Sequence, residues 1–301
     1  MAPLSLARLP TPVEPLRRAS ARFGREIHVK RDDLTGFELS GNKVRKLEVL
    51  FADAIAQKKT KVVTCGGIQS NHCRATALAA RRLGLEPHLL LRGRAPDEPD
   101  ANLLLDHLVG ARITWVTPEE YRERDARMAA LADDDTYVIP EGGSNAIGAQ
   151  GYVRAGRELA AQLDVDTIVV AVGSGGTLAG LAGAGLSARV LGVAVCDDKV
   201  YFTNIVERIG RDLPDGIGGA WEVVEGFQGL GYGLTRPEER EELRWMARHE
   251  GLLLDPVYTG KAWFALTQLI AARDPRVGQR VLFWHTGGAF GLFGRGGEML
   301  G

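Results

Sequence analysis

The chain has 301 residues, 45% hydrophobic and 25% charged, which suits a folded protein of one large or two ordinary domains and excludes intrinsic disorder. Its 37 basic and 38 acidic residues leave a net charge of −1, so no positive excess is available for wrapping nucleic acid. Three cysteines without C-x-x-C spacing argue against a disulfide framework or a structural zinc site and fit a reducing compartment.

In chain order, Met1–Pro10 lacks the long apolar core of a signal peptide. The first helical face is marked by Val44, Leu47, Phe51, Ala54 and Ile55. It is opened by Ser40-Gly-Asn-Lys-Val-Arg-Lys-Leu-Glu48, which puts Lys43 in the first turn, at the unfavourable end of the helix dipole for a cation. A local rule broken in this way marks a candidate functional residue. Only eight of the basic residues are lysines, and Lys46, one turn on, is the competing amine.

Next comes the apolar run Lys61–Cys65, then a helical pattern over 71–83. Between them, Gly66-Gly-Ile-Gln-Ser-Asn-His-Cys73 sits at a strand-to-helix junction. Ser70 and Asn71 suit helix N-caps and equally suit donors to a bound carboxylate, two roles that are compatible. His72 and Cys73 have no further ligands at metal spacing. Apolar runs His88–Leu91, Arg112–Val116 and Tyr137–Ile139 alternate with helical patterns at 100–109 and 118–131, which makes 61–139 a βαβαβαβ block.

A Gly-rich segment, 142–151, leads into a helical pattern over 148–162 and then the strand Thr167–Val172. Residues 167–188 carry no charge over the length of a bilayer span, but six of them are glycine, so they read as a buried strand, a Gly turn and a small-residue helix. The turn, Gly173-Ser-Gly-Gly-Thr177, points backbone N–H groups and two hydroxyls at a phosphate-sized ligand. Val190–Val195 is the next strand, and 198–211 the next helix. Gly-rich 216–233 reads as a long connection before helical patterns at 236–250 and 260–273. Asp255-Pro-Val-Tyr-Thr-Gly-Lys261 precedes the last of these helices, and Trp284-His-Thr-Gly-Gly288 follows the final strand, Arg280–Trp284. No P-loop is present, since Asn42 stands where that motif needs Lys. The dinucleotide fingerprint fails at Leu178, and no G-x-S-x-G elbow occurs.

Taken in order, these motifs resemble pyridoxal-phosphate enzymes of the tryptophan-synthase β-like fold, in the D-cysteine desulfhydrase and aminocyclopropane-carboxylate deaminase branch. The resemblance runs from Leu9-Pro-Thr-Pro12 to His285-Thr-Gly-Gly288 and rests most on Asp32-Asp-Leu-Thr35, the Lys43 block, Gly66–His72, Gly142-Gly-Ser-Asn145 and Asp255–Tyr258. It implies that Lys43 forms the Schiff-base link to the cofactor and that Gly173, Ser174, Gly175, Gly176 and Thr177 cradle its phosphate. By the same resemblance Asn71 contacts its ring oxygen, Tyr258 lies beside the ring, and Thr286 faces the pyridine nitrogen. Ser70 is placed near the substrate carboxylate and the transferred proton, with Asn71, His72 and Tyr258 completing a substrate site. Lys43, Ser70 and Tyr258 are the implied catalytic residues, and no metal is expected.

The expected fold is α/β, two open, twisted, mostly parallel sheets flanked by helices, with the cofactor in the cleft between two domains. The larger domain is expected at 1–48 plus 148–301 and the smaller at 49–147. Thr259 and Thr286 stand where deaminases of the branch carry Glu and Leu, and they match the desulfhydrases. The expected reaction is β-elimination on a small amino acid, D-cysteine giving pyruvate, sulfide and ammonia. The alternatives within the fold are aminocyclopropane-carboxylate deaminase, cysteate sulfo-lyase, and amino-acid racemase or dehydratase, and outside it a non-catalytic amino-acid sensor. A cytoplasmic homodimer that binds neither nucleic acid nor membrane is expected. Glu141, in place of a small apolar residue, and bulky Trp284 are departures expected to touch the pocket.

Overall fold

The computed structural model describes residues 3–231 and 233–300, apart from the side chain of Leu300. Two sheets organise them. The larger has six strands in the order β1 (Val13–Pro15), β2 (Glu26–Arg31), β10 (Arg280–His285), β7 (Thr167–Val172), β8 (Arg189–Ala194), β9 (Trp221–Val224). The smaller has four, in the order β5 (Arg112–Val116), β4 (Glu86–Arg92), β3 (Lys61–Gly67), β6 (Thr136–Val138). All pairings are parallel except β1 with β2.

The expected α/β architecture is therefore the one adopted. Every side chain of β7 is buried, as a parallel strand covered by helices on both faces requires. The charge-free stretch resolves into β7, a Gly turn and helix Gly176–Ala182, and no described helix is long and apolar enough to cross a membrane. The connection read over 216–233 is only partly loop, because β9 within it forms an edge of the larger sheet.

The chain enters the larger sheet with β1 and β2, leaves to build the smaller, and returns at β7. Helix Lys43–Ala56 buries Val44, Leu47, Leu50, Phe51 and Ala54 against Val62, Ala75, Ala79 and Ile139 of the smaller-sheet layer. We propose two lobes, one around each sheet, joined through helices Lys43–Ala56 and Ala146–Ala160. Cuts at 48/49 and 147/148 would pass through these helices rather than between them.

The larger lobe is pinned to helix Lys43–Ala56 by a buried polar cluster. Asp32, wholly unexposed, accepts from Arg45 Nε (3.0 Å) and Nη2 (2.8 Å), Tyr152 Oη (2.5 Å), Trp284 Nε1 (2.8 Å) and Thr11 Oγ1 (2.9 Å). Burial pushes its carboxyl up, but the Arg45 charge and these donors outweigh burial and hold it below its ordinary value. Trp284, expected near the pocket, is instead fully buried in this cluster and packs on Tyr152 at 5.7 Å between ring centroids.

Candidate active site

Strand ends and helix starts from both sheets converge on a cleft of about 550 Å³. Lys43, Ser70, Asn71, His72, Gly173, Ser174, Gly175, Thr177, Tyr258 and Thr286 all line it. Gly176 does not itself reach the lining, but its N–H donates to Ser144 Oγ (3.2 Å), which does.

Lys43 is the first residue of helix Lys43–Ala56. Asn42, just before it, donates its N–H to Thr286 O (3.0 Å) and its Nδ2 to Thr177 Oγ1 (3.2 Å). The turn after β10 approaches so closely that a Cβ on Gly41 would lie 2.9 Å from Thr286 O, and one on Gly287 2.6 Å from Gly41 Cα. The amine is thus held by backbone packing at the seam of the two sheets. Burial pushes its pKa down to about 8, against the opposing charge of Glu141.

Lys46 is buried beside it, its Nζ donating to Gly142 O (3.1 Å) and Ser144 Oγ (3.2 Å). Burial, then the Lys43 charge, pushes its pKa well below the ordinary value. Ser144 Oγ also shares a 2.8 Å hydrogen bond with Ser174 Oγ. Ser144 therefore joins Lys46 to the Gly173–Thr177 loop. Its only signal in the sequence was its place in Gly142-Gly-Ser-Asn145.

The Ser70 hydroxyl accepts from Cys73 N (3.1 Å), the N-cap role, and Asn71 Oδ1 accepts from Asn102 Nδ2 (3.1 Å). His72 shares a hydrogen bond between Nε2 and Thr64 Oγ1 (2.9 Å), and burial followed by the two lysine charges pushes its pKa well down, so it is neutral near pH 7. Tyr258 is set by a turn in which the Asp255 carboxylate accepts from the N–H groups of Val257, Tyr258 and Thr259. Its ring packs on Gly173, where a Cβ would come within 2.8 Å. Thr259 is fully buried outside the cleft lining, and its hydroxyl donates to Asp255 Oδ1 at 2.7 Å. Lys261, also buried, donates to the carbonyls of Gln228 (2.6 Å) and Gly231 (2.7 Å) and lies 3.3 Å from Val195 O, fastening the 216–233 segment to the end of β8.

Glu141 lines the cleft, accepting from Tyr121 Oη (2.7 Å) and pairing with Arg124 (3.0 Å). Arg92, Arg122 and Arg208 join that rim. These arginines had no sequence signal, being scattered among exposed helical positions and a strand end.

The residues fit a phosphorylated aldehyde. Lys43 lines the cleft and Lys46 lies buried behind it, neither in an ion pair among the described residues; burial disfavours their charged forms, and a bound anion would favour them. The cradle admits no extra side chain, since a Cβ on Gly142 would lie 2.2 Å from Ser174 Oγ and one on Gly175, where φ is +82°, 2.5 Å from Ile205 Cγ2. Of the two amines, Lys43 has no hydrogen bond among the described residues and is the one available for a covalent bond, whereas Lys46 is engaged.

The family described as "Pyridoxal-phosphate dependent enzyme" matches residues 4–287. The Arabidopsis thaliana bifunctional D-cysteine desulfhydrase/1-aminocyclopropane-1-carboxylate deaminase, named as mitochondrial, is 43% identical over 98% of this chain and 80% of its own length. A putative 1-aminocyclopropane-1-carboxylate deaminase of Thermotoga maritima is 44% identical over 99% of both chains. The crystal structure of an ACC deaminase homologue superposes with a TM-score of 0.91 at 37% identity, covering 99% of this chain and 95% of that one. A fungal L-serine ammonia-lyase from Rhizomucor miehei, 16% identical with a TM-score of 0.71 over 94% of this chain and 95% of its own, shares the fold.

Proposed function

Because the chain belongs to the pyridoxal-phosphate dependent enzyme family and pyridoxal 5′-phosphate is its cofactor, we propose that it is a carbon–sulfur lyase that eliminates sulfide from D-cysteine. The overall reaction takes D-cysteine and water to pyruvate, sulfide and ammonia. The observation that carries the choice is the Thr pair. Thr286 offers the cleft a neutral hydroxyl, and Thr259 offers it nothing, so neither position supplies a carboxylate. A carboxylate there would hold a ring nitrogen protonated and deepen the electron sink. A shallower sink favours loss of a good leaving group such as a thiolate over opening a carbon ring.

When bound, the cofactor supplies the sink for the electron pair left when the Cα proton departs. Lys43 is the proposed base, because an amine whose pKa is about 8 is partly unprotonated near neutral pH. Ser70 would hold the substrate carboxylate, the Asn71 amide would face the ring oxygen of the cofactor and border the substrate, and the neutral His72 beside them adds no competing charge. Tyr258, packed on Gly173, would flank the ring. Lys46, Ser144 and the Gly173–Thr177 loop would hold the phosphate. The reading also takes the protein as a homodimer and as cytoplasmic, the latter in keeping with its free cysteines.

A second reading, deamination of 1-aminocyclopropane-1-carboxylate, is supported by the names of the relatives from Arabidopsis thaliana and Thermotoga maritima. Incubating the holoenzyme separately with D-cysteine, L-cysteine, cysteate, D-serine and the cyclopropane substrate, and assaying pyruvate, 2-oxobutanoate and sulfide, decides between them. Pyruvate with equal sulfide from D-cysteine supports the lyase. Faster 2-oxobutanoate from the cyclopropane substrate overturns it.

A further inference from the structure

Asn102, in helix Ala101–Leu108, has no exposed surface, and its hydrogen bonds settle the direction of a second amide. Its Oδ1 accepts from Arg74 Nε at 3.1 Å. A guanidinium only donates, so the Asn102 atom facing it is the oxygen. The nitrogen, Nδ2, then faces Gln69 O and Asn71 Oδ1, both at 3.1 Å. A carbonyl only accepts, which fixes the same direction independently. Asn71 must therefore offer Asn102 its oxygen, and its own NH2 group is left for the cleft it lines.

The arrangement is braced on every side. Asn102 N–H donates to Gln69 Oε1 (2.9 Å), and Gln69 Nε2 donates back to Asp100 Oδ1 (2.7 Å). Ala101, between them, is held at φ +46°, a left-handed conformation that costs a non-glycine residue and persists only when its surroundings impose it. Arg74, 1% exposed, donates to the carbonyls of Ser40 (2.9 Å) and Glu38, in the loop that leads into Lys43, and stacks on Phe290 at 4.8 Å. Burial pushes its pKa down to about 10, so it remains a cation near pH 7.

The geometry points to Arg74 and Asn102 as positioning residues that lock Asn71 with its amide donor toward the ring oxygen of the cofactor and couple that orientation to the approach of Lys43. This rests on the reading of Asn71 as the residue facing that oxygen.

The test is Asn102→Asp. The carboxylate keeps the size of the side chain and gains a charge pair with Arg74, but it can only accept. Asn71 then turns its NH2 toward the new carboxylate and presents an oxygen to the cofactor. Absorbance titration of the apo-protein should show the cofactor dissociation constant rising at least about tenfold, the scale of one hydrogen bond to a charged acceptor, with a shifted visible band. Asn102→Ala, which leaves Asn71 free to choose, should bind cofactor better than Asn102→Asp while melting lower. A merely structural role for Asn102 predicts the reverse order in binding. In an Asn71→Ala background, Asn102→Asp should have no further effect on cofactor affinity. If Asn71→Ala weakens the cofactor and Asn102→Asp does not, the positioning inference falls alone. If Asn71→Ala binds cofactor normally, the role of Asn71 falls and takes the inference with it.

Discussion

Trp284 Nε1 donates to Asp32 Oδ2 at 2.8 Å across 252 residues of sequence, and the same carboxylate holds Arg45, two positions beyond Lys43. The hydrogen bond ties the last strand of the larger sheet to the helix that carries the proposed reactive amine.

Asp32→Asn should therefore destabilise the protein by about 2–3 kcal/mol at pH 7, since it leaves the buried Arg45 charge with Glu158 as its one remaining carboxylate partner. The Asp32 pKa is lowered in the fold, so its contribution is present above the unfolded value near ~3.9 and is lost as pH falls through the folded value. The stability gap between the two proteins should be constant from pH 5 to 7 and narrow below about pH 4. Urea unfolding across that range checks it, and equal midpoints at pH 7 would refute the role.

Lys43→Ala should abolish borohydride-trapped attachment of the cofactor, while Lys46→Ala should keep the attachment and weaken binding. With an amine pKa of about 8, the rate of covalent attachment to the apo-protein should rise with pH and reach half its limit near that value, well below the range of an ordinary lysine. Peptide mapping of the reduced adduct checks the site. A label on any other lysine sinks the assignment.

Ser144→Ala removes the hydroxyl that Lys46, Ser174 and Gly176 share. Cofactor affinity should fall by roughly tenfold, the effect of losing about 1–2 kcal/mol of hydrogen bonding. Inorganic phosphate should likewise compete less well with the cofactor for the apo-protein. A change at Gly175 is a poorer probe, because any Cβ there meets Ile205 and forces a residue into φ +82°. Unchanged affinities for both ligands would remove Ser144 from the phosphate site.

Thr286→Leu should lower turnover of D-cysteine relative to 1-aminocyclopropane-1-carboxylate, measured as the ratio of kcat/KM values. Thr259→Glu should not act as a simple substitution. Its carboxylate would arrive beside that of Asp255, which already accepts from the Thr259 hydroxyl and three backbone N–H groups. Two adjacent buried carboxylates repel, so the single variant should melt lower before it changes the substrate ratio. A stable variant with normal cofactor binding would contradict this.

Lys261→Met leaves the carbonyls of Gln228 and Gly231 without their buried donor. The loss should be about 2–4 kcal/mol, with the earliest hydrogen-exchange changes in residues 226–231. Native-like protection there would show that the lysine is dispensable.

The sequence shows some of these parts and hides others for physical reasons. β7 and β8 are legible because strands covered on both faces need unbroken apolar runs. β2 is not, because Glu26-Ile-His-Val-Lys-Arg31 mixes charge into a buried strand, and Lys30 is wholly buried only because Glu158, Gln162 and Thr11 receive it. β9 is four residues long at a sheet edge, amid glycines that signal a loop. Lys43 stands out because its sign conflicts with the helix dipole. Ser144, Asn102 and Arg74 carry no such conflict, and their partners lie tens of residues away. Trp284 misled because bulk beside a Gly turn reads as a pocket wall, whereas its indole N–H had a buried acceptor 252 residues upstream.

The strand order also dictates when the molecule can be finished on the ribosome. β2 has only β1 and β10 as neighbours, so its place in the sheet stays open until residues 280–285 have been synthesised. The four strands of the smaller sheet lie within residues 61–138 and can pair long before that. The segment ahead of Lys43 is made before the smaller sheet and seated after it, so its strand waits exposed while the rest of these strands emerge. A nascent chain arrested before residue 280 should keep the smaller sheet and present β2 to chaperones, and release of the final strand would close the cleft and create the cofactor site in one step.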